Sequence, residues 1–218
     1  MDDGAVSESV SGRHVFDVVG TRDVHVGRVV ALRVDEVAMP GGGTARREVV
    51  EHLGAVAVAA VDEDGAVTLI HQYRHPLGKR IWELPAGLLD AGSETPLAAA
   101  ERELVEEVGL TAGDWVTLVD VAASPGFTDE VVRVFLARGL TEVDRQVLGE
   151  EEADLQARKF PVDEAVAMAL RGEIVNGAAV AGLLAAQAVL AGRAEPRSAD
   201  APFEDRPSRF AARSEQQG

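Results

Sequence analysis

Residues 87–110, GLLDAGSETPLAAAERELVEEVGL, decide how this chain is read. Thr95 followed by Pro96 supplies an N-cap and a proline at the first helical position, and Gly109 stands where a C-terminal cap belongs. The stretch therefore predicts a helix from Pro96 to about residue 108. On it Leu97, Ala100, Leu104 and Val108 form an apolar stripe, while Glu103, Glu106 and Glu107 fall in one other sector, flanked by Arg102. Like charges three and four residues apart repel by a few tenths of a kcal/mol per pair. Clustered oxygens of this kind suit hard cations such as Mg²⁺ or Mn²⁺. The plainer alternative, which an isolated E-x-x-E-E would favour, is a solvated acidic face.

Around this helix the composition narrows the classes. A chain of 218 residues with 46% hydrophobic and 27% charged residues is long enough for one large domain, or one domain with an added element. Its net charge is −16, from 37 acidic against 21 basic residues, and repels nucleic acid and anionic membranes. An anionic substrate would need a local cation to reverse that field. With no cysteine there is no disulfide, thiolate nucleophile or zinc–thiolate site. The start, MDDGAVSESVSG, lacks an apolar core, and the apolar run 177–192 is shorter than the roughly 20 residues that span a bilayer. The expectation is a cytoplasmic protein.

Before about Val50 apolar and polar residues alternate, as in VHVGRVVALRVDEV, which predicts a small antiparallel sheet. MPGGGT inside it reads as a turn, since it lacks the Lys-Ser/Thr ending of a phosphate-binding loop. GAVAVAAV and AVTLIHQYRH, joined by DEDG, read as a central hairpin. RIWELPAG reads as a short strand ending at Pro85, and WVTLVDVAA and VVRVFLA as strands separated by the loop SPGFTDE. Helices are predicted over residues 162–171 and 176–190. From Arg193 the tail has no periodicity and is expected to be mobile or draped over the surface. His71 and His75 do not share a helix face, so they make no metal pair; Ser124 reads as part of a turn and Trp82 as core packing.

Glu94, Arg102, Glu103, Leu104, Glu106, Glu107, Gly109 and Leu110 together resemble the Nudix hydrolase signature. Gly87 lies one residue earlier than that pattern places its first glycine, which keeps the helix register and alters the loop before it. The resemblance implies an α+β chain with the Nudix fold, an α/β/α sandwich around a mixed central sheet, plus an N-terminal antiparallel sheet. It divides the chain into a segment 1–50 exchanged between subunits of a homodimer, a hydrolase domain 51–192 and a tail 193–218. It implies Mg²⁺ or Mn²⁺ on Glu103 and Glu107, with Glu106 and the carbonyl of Ala86 as further ligands, and Arg102 and Glu94 in support.

QYRH, WELPAG and SPGFTDE with Pro125 look like segments of the ADP-ribose pyrophosphatase branch of that family, and MPGGG, REVVEH and RGEIVN like its actinobacterial type. The implied reaction is hydrolysis of ADP-ribose to AMP and ribose 5-phosphate. The resemblance assigns Arg74 to phosphate, with Arg47 reaching it from the partner subunit. It gives Glu83 to ribose or adenine, and Phe16, in competition with Phe127, to stacking on adenine. A general base is expected within GEEEAD, at Glu152 and then Glu151, with Glu150 beside them. Two other readings stand beside this one: a broader hydrolase of NADH, sugar diphosphates or oxidised nucleotides, and a non-catalytic nucleotide-binding regulator. The intact carboxylate cluster argues against the second.

Overall fold

The computed structural model describes residues 16–90, 94–145 and 155–215. Strands β1 (Val18–Val26), β2 (Val30–Ala38) and β3 (Thr44–His52) make the antiparallel N-terminal sheet, in register at Leu32–Val50 and Asp35–Arg47. MPGGGT forms the turn between β2 and β3, as expected.

The chain then enters β4 (Ala55–Ala60), the strand around which the rest is built. Its continuous apolar sequence is explained by burial on both faces. Val56, Val58 and Ala60 pack with Ala100, Leu104 and Phe135, whereas Ala57, Ala59 and Val61 pack with Val134, Leu136, Ala179 and Leu183. Leu104 and Leu183 are fully buried, each contributing about 1.5–3 kcal/mol.

β4 runs parallel to β9 (Val131–Glu142) and antiparallel to β7 (Ala86–Leu88). With β8 (Leu110–Ala122) and β11 (Arg197–Ser198) they form the mixed sheet β11-β8-β9-β4-β7. Helix α1 (Pro96–Val108) covers one face; α2 (Val162–Leu170) and α3 (Gly177–Leu190) cover the other. This is the expected α/β/α layering around a mixed sheet.

The predicted central hairpin is corrected. β5 (Ala66–Arg74) leaves β4 after a single bridge between Val61 and Val67 and joins a third sheet with β6 (Lys79–Glu83) and β10 (Gln156–Pro161). β4 already has a hydrogen-bonded neighbour on each edge, so no edge remains for β5. α2 and α3 form as expected, with Asn176 capping α3.

Of the two expectations for the tail, the structure shows the draped one. β11 pairs with β8, and the guanidinium of Arg133, only 1% exposed, donates to the carbonyls of Ala201 and Pro202 while lying 4.2 Å from the ring of Phe203. A last helix, α4 (Arg209–Glu215), buries Phe210 and sends Arg213 to Glu51 on β3. Among the described residues no helix is long and apolar enough to cross a membrane.

Candidate active site

The site is built where β6 and β7 meet α1. The Thr95 hydroxyl accepts from the Ala98 N–H at 3.1 Å, and Gly109, at φ +65, closes the helix with its N–H on Val105. This fixed register carries Glu107 inward, where it is 7% exposed and accepts from the Ala86 N–H at 2.8 Å. Glu103, one turn earlier, lies against Gly87: a Cβ there would fall 1.9 Å from Glu103 Oε1. Only a glycine admits that approach.

Arg102 organises the remaining acids. Its Nε and one terminal nitrogen grip Glu94 at 3.2 and 3.1 Å, and the other terminal nitrogen reaches Glu103 at 2.6 Å and Glu106 at 3.2 Å. Hydrogen bonding to Glu94 is the largest of the effects that raise the Arg102 pKa, so the guanidinium stays charged. Burial pushes the Glu103 carboxyl up against the pull of Arg102. Burial also pushes Glu107 up to about 8, although the Ala86 N–H pulls it down.

At Glu107 desolvation outweighs the groups that favour its charged form. Among the described residues no three His, Asp or Glu side chains already converge on one centre, and Arg102 draws Glu103 and Glu106 toward itself. The donor set nonetheless fits a hard divalent cation, being all oxygen, anionic and partly desolvated.

Glu103, Glu107, Arg102, Ala86, Arg74 and Glu83 all border one cavity of about 1340 Å³. Arg74 enters it from the end of β5, and its charge helps to lower the Glu107 pKa. Glu83, expected at ribose or adenine, borders the cavity from the end of β6. It is 2% exposed, and its oxygens already accept from Gln72 at 2.6 Å, Arg74 Nε at 3.0 Å and Asn176 at 2.8 Å. Those contacts anchor the Arg74 guanidinium at the cavity wall.

The other expected residues stand apart from that lining. Glu106 is tied to Arg102; Arg47 is exposed on β3 and donates to the Arg46 carbonyl. Phe16 and Phe127 are 42% and 54% exposed. Glu150, Glu151 and Glu152 lie outside the described residues.

Sequence reasoning missed Arg28, His52, Gln72, Glu130 and Asn176, which border the cavity. His52 Nδ1 accepts from the Gly54 N–H at 3.1 Å and lies 3.9 Å from Glu130. These five are brought in by sheet pairing and loop position, which no local spacing announces. His52, Gln72, Glu130 and Asn176 stand in the segments REVVEH, QYRH, SPGFTDE and RGEIVN that carry the resemblance, and Asn176 also starts a predicted helix.

The chain is similar to known proteins along most of its length. The NUDIX domain model matches residues 50–180. An ADP-ribose pyrophosphatase of Mycobacterium tuberculosis is 53% identical over 200 residues, which is 92% of this chain and 97% of that protein. One of Bacillus subtilis is 36% identical over 158 residues, 72% of this chain and 85% of its own. A solved structure of an ADP compounds hydrolase superposes with a TM-score of 0.71 at 21% identity, covering 82% of this chain and 97% of the other. At that identity the likeness concerns the fold.

Proposed function

The chain belongs to the NUDIX family, and on that premise we propose that it hydrolyses the pyrophosphate bond of ADP-ribose, giving AMP and ribose 5-phosphate. The observation that carries the reading is the meeting, in one cavity, of the Glu103–Glu107 carboxylates with the Arg74 guanidinium. A diphosphate asks for both: acids to hold a cation, and a guanidinium to take phosphate oxygens directly. The names of the relatives at 53% and 36% identity support the substrate class.

Nudix hydrolases need divalent metal ions, and here Glu103 and Glu107 are the ligands we assign, with Glu106 and the Ala86 carbonyl completing the set around Mg²⁺ or Mn²⁺. When bound, the ion neutralises diphosphate charge and lowers the pKa of a coordinated water. Arg102 orients Glu103 and Glu106, and Gly87 leaves Glu103 its place. Arg74, gripped by Glu83, faces a phosphate oxygen. A water oxygen adds to one phosphorus and the bridging P–O bond breaks. Glu152 or Glu151 takes the proton that the water loses.

We assign the protein to the cytoplasm as a homodimer. Val18, Val19, Val24 and Val26 are 44–59% exposed on β1, apolar surface that a second copy would cover. From that copy Arg47 would reach the nucleotide, and Phe16, in competition with Phe127, would stack on adenine.

The test is incubation with ADP-ribose and Mg²⁺, an EDTA control, and chromatography of the products. Metal-dependent release of AMP and ribose 5-phosphate in equal amounts is expected. Intact ADP-ribose, with turnover of NADH or a sugar diphosphate instead, would move the activity within the family.

A further inference from the structure

Asn176 ends the segment RGEIVN and does two things at once. Its Oδ1 accepts from the Ala179 N–H at 2.9 Å, capping α3, and its Nδ2 donates to Glu83 Oε1 at 2.8 Å. The two contacts fix the amide orientation, since oxygen must face the N–H and nitrogen the carboxylate. Asp and Ser cap helices about as well as Asn. What asparagine adds at this position is the donor.

That donor lands on a carboxylate whose situation is costly. Glu83 is 2% exposed, and a buried carboxylate holds its charge only when its lone pairs are met. Gln72 meets Oε2 at 2.6 Å, Asn176 meets Oε1, and Arg74 engages both oxygens through Nε at 3.2 and 3.0 Å, with a terminal nitrogen 2.8 Å from Oε2. Glu83 thus takes one edge of the Arg74 guanidinium, which leaves the second terminal nitrogen to meet a ligand oxygen. Arg74 is 41% exposed in its side chain and would otherwise sweep the cavity mouth. Asn176 stands 93 residues from Glu83 in the chain, so the contact also ties the start of α3 to the end of β6.

We infer that Asn176 is a positioning residue for diphosphate binding: through the buried Glu83 it holds the Arg74 guanidinium in the orientation that meets a phosphate oxygen. The inference rests on the phosphate role proposed for Arg74. Asn176 touches no reacting atom in this scheme, and its contribution is to binding.

The experiment measures affinity for α,β-methylene-ADP, a diphosphate whose bridge resists hydrolysis, by calorimetry of the full-length protein in Mg²⁺. Asn176→Ser keeps a cap acceptor and lacks the amide donor; Asn176→Asp keeps the acceptor in place and sets a like charge beside Glu83. Asn176→Ser is expected to unfold in EDTA within about 6 °C of wild type, since the cap survives and one donor to Glu83 is lost, and Asn176→Asp lower, since it adds a like charge. Asn176→Ser is expected to weaken binding about fivefold, Asn176→Asp more, and KM for ADP-ribose to rise with kcat little changed. In an Arg74→Ala background the Asn176→Ser loss should vanish, a result that a merely structural role would not give. Unchanged affinity in both Asn176 variants, or an equal loss with and without Arg74, overturns the inference. Wild-type affinity in Arg74→Ala alone overturns the reading of Arg74 and the inference with it, whatever the turnover of ADP-ribose.

Discussion

Glu103 occupies the space a side chain at Gly87 would need: a Cβ on Gly87 would lie 1.9 Å from the Glu103 Oε1 and 2.0 Å from its carboxyl carbon. Since the obstacle is the end of a flexible side chain, Gly87→Ala should fold, with Glu103 displaced from the cavity wall. We expect wild-type thermal stability in EDTA to within about 1 kcal/mol and a loss of Mg²⁺ affinity of at least about tenfold. Calorimetric titration with Mg²⁺ would measure it, and wild-type affinity in this variant would remove Gly87 from the site.

Glu107→Gln keeps an oxygen for the Ala86 N–H and removes a buried carboxyl that desolvation makes costly to ionise. Activity should fall by at least about 10²-fold, given that losing even an outer partner of a metal ligand commonly costs 10–100-fold. Stability in EDTA should hold or rise, because a neutral amide replaces a carboxyl that is costly to ionise there. Steady-state kinetics and a thermal melt on the same sample would show whether loss of activity and gain of stability occur together.

Burial pushes the Glu107 carboxyl up to about 8, so its neutral form prevails below that pH in the metal-free protein. A cation needs the carboxylate, and its binding therefore expels a proton. Apparent Mg²⁺ affinity should climb with pH, by as much as about tenfold per unit below 8, and flatten above it. The raised pKa contributes stability below the ordinary value of 4.5 that is lost as pH rises through about 8. Mg²⁺ should thus raise the melting temperature more at pH 8 than at pH 6, and Glu107→Gln should lose that difference.

The helix, its caps and its carboxylates were legible because a 3.6-residue period and capping chemistry are local. So were the strand-rich start, α2, α3 and the turn at MPGGGT. The partner of β5 was not, because β4 and β5 are adjacent in sequence and the choice between them is made by β7 and β9, which arrive later. The tail hid its anchors for a related reason. Arg133 reads as a charged residue in an apolar strand, and only the fold brings Asp120, Ala201, Pro202 and Phe203 around it. Glu83 shows the same limit: the donors that fill it come from β5 and the start of α3, which no local pattern announces.

Arg213 joins the tail to the N-terminal sheet through charge. Its Nε lies 2.5 Å from Glu51 Oε2, and its terminal nitrogens grip Asp23 at 2.8 and 2.7 Å. Glu51 is 0% exposed and also accepts from Arg33 at 2.5 Å. Burial pushes its carboxyl up, but the hydrogen bonds from Arg213 and Arg33 outweigh burial and hold it below the ordinary 4.5. A lowered carboxylate pKa stabilises the fold above the unfolded value, and that contribution fades as pH falls through the folded value. Arg213→Gln leaves Glu51 with Arg33 and Arg209, so the loss at pH 7 should be about 2 kcal/mol rather than the full penalty of an unpaired buried charge. Urea unfolding at pH 7 should show that gap between wild type and variant, and the gap should narrow in acid, as pH falls through the lowered value at which Glu51 gains its proton. A gap equal at both pH values would mean that Arg213 acts by packing α4 against β3, and that its charge is spent on solvent.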